Sequence, residues 1–178
     1  MNKKALLIIA SKDFRDEEYF VTKETLERMG IKTKTASDEK GPAIGAFGGE
    51  ANVDILLNDV NIDDFGAIVF IGGNGARRYL ANNDSYGLIR KTIESGKVLG
   101  AICIAPTILA EAGVLRGKRC TVWTSNMDKS AVKIIEENGG KYCDQSPVID
   151  GKIVTADNFE SSEAFGSAIA KMLTESDK

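Results

Sequence analysis

Lys97-Val98-Leu99-Gly100-Ala101-Ile102-Cys103-Ile104-Ala105-Pro106 decides how this chain is read. Residues 97–102 have the composition and length of a strand, and Pro106, which is tolerated in a first helical turn, marks a helix over residues 107–112. A strand, a sharp turn and a helix therefore meet at one cysteine. A thiol so placed lies near the positive end of a helix dipole, which lowers its pKa, and backbone N–H groups stand ready to receive an oxyanion.

Working outward, Ala5-Leu6-Leu7-Ile8-Ile9-Ala10 is a continuous apolar run, as expected for a strand covered on both faces. Residues 14–29 read as a helix ending at Gly30, a suitable left-handed cap, and residues 31–36 alternate as a second strand. The glycine-rich stretch 41–50, with 51–58, reads as a small excursion or hairpin. Residues 67–71 form another buried strand, halted by Gly72-Gly73-Asn74-Gly75, and residues 85–95 a helix. Beyond the cysteine come a strand over 119–123, a helix over 129–138, a hairpin of 148–149 with 152–155 about Asp150-Gly151, and an amphipathic helix over 161–173. The alternation predicts one α/β domain over residues 1–178, a doubly wound sandwich whose mostly parallel central sheet carries helices on both faces.

Composition narrows the function. The 178 residues carry a net charge of −3, with 43% hydrophobic and 28% charged residues. Neither nucleic acid nor an anionic membrane is expected as a partner, because both favour a concentrated basic surface. Met1-Asn2-Lys3-Lys4 before a short apolar run resembles a signal peptide, but Lys12 and Asp13 follow without a cleavage site, so a cytoplasmic chain is expected. The three cysteines, Cys103, Cys120 and Cys143, form no C-x-x-C, so reduced thiols are expected, with Cys120 and Cys143 as core or surface residues. The chain contains no histidine, which removes a Cys-His dyad and any His-ligated metal. Ligands collect at the carboxyl ends of such sheets, where Gly72-Gly73 and Ile102-Cys103-Ile104 both fall. Gly73, Cys103 and Ile104 are thus candidate N–H donors, although a glycine pair is also ordinary turn punctuation. Asp157-Asn158 follow a strand end and suit either the same crevice or a plain turn.

Ala101-Ile102-Cys103-Ile104-Ala105-Pro106, followed by Ala112-Gly113-Val114-Leu115-Arg116-Gly117-Lys118, resembles the elbow segment of the ThiJ/PfpI superfamily. Phe70-Ile71-Gly72-Gly73-Asn74-Gly75-Ala76 is similar to that family's oxyanion loop, and Phe14-Arg15-Asp16-Glu17-Glu18 to the segment bearing its helix-one glutamate. The resemblance implies a flavodoxin-like sandwich in which Cys103 is hydrogen-bonded to a protonated or partly protonated Glu18, with Glu17 the competitor for that role. Gly72, Gly73, Asn74 and Ile104 would surround the oxyanion. Ile104 stands where protease-like members carry histidine, which disfavours a peptidase. Trp123 stands where deglycase-like members carry another, and would wall the pocket. The implied activity is that of a glyoxalase or deglycase acting on small reactive aldehydes or their adducts, without metal or organic cofactor, in a homo-oligomer. The alternative is a redox-sensing or chaperone-like stress protein whose Cys103 oxidises to sulfinic acid.

Overall fold

The computed structural model describes residues 2–175; Met1, part of the amino-terminal reading above, and residues 176–178 lie outside them. The first half contains β1 (Lys4–Ile8), β2 (Lys12–Phe14), α1 (Asp16–Arg28), β3 (Lys32–Ser37), β4 (Pro42–Gly45), β5 (Glu50–Asn52) and β6 (Ile55–Leu56). The second contains β7 (Ala67–Phe70), α2 (Asn83–Glu94), β8 (Val98–Ile102), α3 (Pro106–Glu111), β9 (Arg119–Cys120), α4 (Ser130–Glu137), β10 (Lys141–Tyr142), β11 (Val148–Asp150), β12 (Ile153–Ala156) and α5 (Ser162–Glu175).

Seven strands form the central sheet in the order β11-β12-β8-β7-β1-β3-β6. Every neighbouring pair in it is parallel except β11 with β12, the hairpin expected about Asp150-Gly151. Successive side chains of a strand point to opposite faces, so β1 feeds two cores. Leu6 and Ile8 pack with Leu88 and Ile89 of α2, Ile108 and Leu109 of α3, and Ile135 of α4. Ala5 and Leu7 pack with Tyr19 and Leu26 of α1 and Phe165, Ile169 and Leu173 of α5. This is the predicted flavodoxin-like arrangement, and burying each large apolar side chain contributes about 1.5–3 kcal/mol. No helix among the described residues is long and apolar enough to cross a membrane.

The order of strands also places the crevice. β1 pairs with β3 on one side and with β7 on the other, so the chain reverses its winding there. Crossovers leave on opposite faces at such a switch point, and the carboxyl ends of β1 and β7 open a gap beside the end of β8.

Some local elements depart from expectation. The helix read from residue 14 begins at Asp16, because residues 12–14 form β2, which joins β4 and β5 in a separate three-stranded sheet. The expected hairpin in 41–58 exists as β4 with β5, while β6 returns to the main sheet beside β3. A π-helical turn, Ala76–Leu80, follows the glycine-rich loop. The strand read over 119–123 stops at Cys120 and pairs with β10. Beyond it the Thr121 N–H donates to Thr155 Oγ1 at 2.9 Å and the Trp123 N–H to the Cys103 carbonyl at 2.8 Å, so this stretch bonds to the elbow region instead of continuing β9.

Candidate active site

Cys103 follows β8 directly, with φ of +62°. The left-handed region costs a non-glycine residue about 1–2 kcal/mol, so something must hold it there. Its N–H donates to the Ala156 carbonyl at the end of β12 at 2.9 Å, and its carbonyl accepts from Trp123. Both backbone groups are thereby tied to neighbouring segments. The hydroxyl of Thr107, in the first turn of α3, donates to the Ile104 carbonyl at 2.6 Å and closes the elbow.

Glu18 lies in the first turn of α1 and is 1% exposed. Its Oε2 accepts the Gly72 N–H at 3.0 Å, and its carboxyl is hydrogen-bonded to the Cys103 thiol. Glu17, one position earlier, turns outward and pairs with Arg15 Nε at 2.7 Å. Of the two acids named by the sequence, the structure puts Glu18 against the sulfur.

Gly72 and Gly73 are required by close approach. A Cβ on Gly72 would stand 2.7 Å from Glu18 Oε2 and 2.8 Å from Cys103 Cβ. Gly73 has φ of +104°, and a Cβ there would stand 2.5 Å from the Arg15 nitrogen. The pair therefore does more than punctuate a turn. It lets the loop after β7 press against both the start of α1 and the elbow.

Burial dominates the proton chemistry. It raises Glu18 from its ordinary 4.5 to about 7, against the hydrogen bonds of Cys103 and Gly72 and the charge of Arg15, which pull downward. Burial also pushes the Cys103 thiol up, the charge and hydrogen bond of Glu18 push it further, and the N–H groups of Ile104 and Gly73 pull it down. The elbow alone predicts a lowered thiol pKa. Here α3 has only six residues, and the loss of solvent together with a carboxylate in contact outweighs the short helix's dipole. Two negative charges are disfavoured in so dry a space, so at neutral pH the pair holds a proton in common.

The predicted residues thus divide. Cys103, Glu18, Gly73 and Ile104 converge, the last two aiming their N–H groups at the sulfur. Gly72 is present, but its N–H is committed to Glu18. Trp123 is joined to the elbow through its backbone and is half-buried, whereas Asn74 is exposed at the start of the next turn. Cys120 is buried in β9, and Cys143 donates its N–H to the Cys120 carbonyl. Asp157 accepts from Ser161 Oγ and Asn158 from the Glu160 N–H, both at 2.9 Å, so the turn reading suffices for them. Among the described residues no group of three or more Cys, Asp or Glu is gathered to hold a metal ion.

Sequence reading missed the brace behind the elbow. Arg77 makes two bonds to Glu111, at 2.7 and 2.8 Å, and reaches Thr107 Oγ1 at 3.3 Å, while Tyr86 donates to Glu111 at 2.9 Å. Arg77 and Glu111 lie 34 positions apart with no local pattern joining them, so only the fold reveals the pair.

A doubly wound sheet with a strained cysteine elbow facing a buried glutamate defines a flavodoxin-like α/β protein with a thiol–carboxyl centre. The sequence profile of the DJ-1/PfpI family matches residues 3–172, and the chain belongs to that family. It is 38% identical over 173 residues to an uncharacterised protein of Methanocaldococcus jannaschii, covering 97% of this chain and 83% of the relative. It is 31% identical over 151 residues to a Pyrococcus furiosus protein named deglycase PfpI, covering 85% of this chain and 88% of that one. A Caenorhabditis elegans protein named as a glutathione-independent glyoxalase is 32% identical over 155 residues, covering 86% and 80% of the two chains. Among solved structures, a ThiJ/PfpI domain protein from Brachyspira murdochii superposes with a TM-score of 0.89 at 30% identity, over 98% of each chain.

Proposed function

We propose that this chain is a glyoxalase- or deglycase-type enzyme that uses Cys103 as nucleophile toward small reactive aldehydes or their adducts, with Glu18 moving the protons. The observation that carries the reading is a carboxyl group only 1% exposed, bonded to the Gly72 N–H and also to the thiol. Relatives named deglycase and glyoxalase support it. A base with a pKa of about 7 is well matched to neutral pH.

As sulfur adds to the aldehyde carbon, the S–H proton passes to Glu18 and the carbonyl oxygen becomes an oxyanion. The N–H groups of Gly73 and Ile104, which face the sulfur in the free protein, receive that oxyanion. Return of the proton to oxygen gives a hemithioacetal. With an α-oxoaldehyde, Glu18 then takes the proton from the former aldehyde carbon and the adjacent carbon is reprotonated, leaving a thioester. Water hydrolyses the thioester to an α-hydroxy acid and restores the thiol. One water is consumed for each α-oxoaldehyde.

Oxidation of Cys103 to a sulfinate is the second reading, since the same N–H groups would receive sulfinate oxygens. The raised thiol pKa favours the first reading, because attack on peroxide needs a thiolate already formed, whereas addition to a carbonyl can pass the S–H proton to Glu18 as the bond forms. A peptidase is disfavoured by the absence of histidine. Consumption of methylglyoxal tests the proposal: the parent turns over, Cys103→Ala does not, and Glu18→Gln is slower by about 10²–10⁴-fold. Undiminished turnover by Cys103→Ala overturns it.

A further inference from the structure

Arg15 stands between the site loop and solvent, immediately before α1. Its backbone N–H donates to the Gly72 carbonyl at 3.0 Å, which fixes it beside the residue that anchors Glu18. Its guanidinium carbon lies 4.8 Å from the centre of the Phe47 ring and 4.6 Å from that of Phe159. Phe47 belongs to the turn between β4 and β5. Phe159 lies three positions beyond Ala156, whose carbonyl accepts the Cys103 N–H. Arg15 therefore joins two loops next to the thiol–carboxyl pair, and its charge is felt at Glu18.

The cradle is built. Buried Asp16 accepts the N–H groups of Phe47 at 2.9 Å and Gly49 at 2.7 Å, which pins the hairpin tip and with it the first ring. Phe47 is 68% and Phe159 42% exposed, so neither ring is placed chiefly by burial. Aromatic faces attract a cation and hold a guanidinium in one plane. Glu17 takes the Nε edge at 2.7 Å and reaches Nη2 at 3.5 Å, while no acceptor among the described residues bonds Nη1. The Arg15 side chain is 30% exposed. A fixed, planar, positively charged fork thus keeps one edge open to solvent.

We infer that Arg15 is a specificity-determining residue, selecting carbonyl substrates that carry a carboxylate, such as anionic α-oxoaldehydes. The inference rests on Cys103 acting on carbonyl carbon. A carboxylate suits the fork because each N–H to oxygen bond is charge-assisted. Glu17 repels it from the Nε side, so it docks through Nη1 and the selectivity is about tenfold, the low end for a charged hydrogen bond.

Two ratios test this. In alkylation, the Cys103 sulfur displaces iodide from iodoacetate or iodoacetamide, forming a C–S and breaking a C–I bond, with the thiol proton released to solvent. The ratio of the two rate constants cancels any influence of Arg15 on the thiol itself. It is expected to fall about tenfold in Arg15→Gln and only partly in Arg15→Lys, which keeps the charge but loses the fork. In turnover, the ratio of kcat/KM for 4,5-dioxovalerate over its methyl ester is expected to fall by the same factor. Equal ratios in the parent and Arg15→Gln overturn the inference. Selective alkylation without turnover of any α-oxoaldehyde supports anion selection by Arg15 and removes the proposed reaction.

Discussion

Replacing Glu18 with glutamine separates the chemistry of the site from its cost to the fold. Glu18 is raised from 4.5 to about 7 chiefly by burial, which corresponds to about 3 kcal/mol at about 1.36 kcal/mol per tenfold. The sign follows from proton binding. Between pH 4.5 and 7 the folded chain keeps the proton that the unfolded chain has lost, so stability falls as pH rises and the loss is complete above 7. Glutamine keeps an oxygen for the Gly72 N–H and never ionises. Urea unfolding from pH 4 to 8.5 is expected to show Glu18→Gln gaining on the parent by about 2–3 kcal/mol across that span, while its turnover falls by about 10²–10⁴-fold. Turnover by the parent should rise with pH about the same midpoint, as the doubly protonated pair loses its first proton. Parallel stability curves for parent and variant would refute the claim that burial raises this carboxyl.

Two further substitutions probe the backbone. Gly73→Ala brings a Cβ to 2.5 Å from the Arg15 nitrogen at φ +104°, so it is expected to destabilise by about 2 kcal/mol or more and to abolish turnover, measured by thermal unfolding and methylglyoxal consumption. At position 103 the usual ranking of alanine over glycine is expected to invert: with φ +62°, Cys103→Gly should exceed Cys103→Ala in stability by about 1 kcal/mol in denaturant unfolding. An alanine variant equal to or above the glycine variant would mean that the elbow is unstrained.

How far the sequence reaches can be judged residue by residue. The buried runs in β1, β7 and β8 declare themselves by hydrophobicity, because a strand covered on both faces has no room for alternation. The stretch after Cys120 does not, since Thr121, Val122 and Trp123 have strand-forming side chains yet their partners are Thr155 Oγ1 and the Cys103 carbonyl, contacts set by tertiary position. β2 is hidden for a related reason: its three residues run into the acidic start of α1 and pair only with the distant β4. Arg15 lies inside the Phe14–Glu18 segment, but its two aromatic partners are 32 and 144 positions away by number, and no local spacing brings them together.

Cys103 and its neighbours were legible as a constellation, and the resemblance implied a protonated or partly protonated Glu18; the direction in which the thiol itself is shifted was not legible. A cysteine at a strand-to-helix turn argues for an anion stabilised by the helix, and that inference holds only while the helix is long and the surroundings wet. Here the helix has six residues, and the nearest charge is a carboxylate buried with the sulfur. Sequence places these groups side by side without stating their solvation, and solvation sets the sign. The consequence is mechanistic. In the proposed reaction the cysteine need not rest as a free thiolate, because a base of pKa about 7 sits in contact with it to take the proton as the S–C bond forms. In a chain without histidine, the proposed reaction gives this buried glutamate the role that an imidazole would otherwise supply.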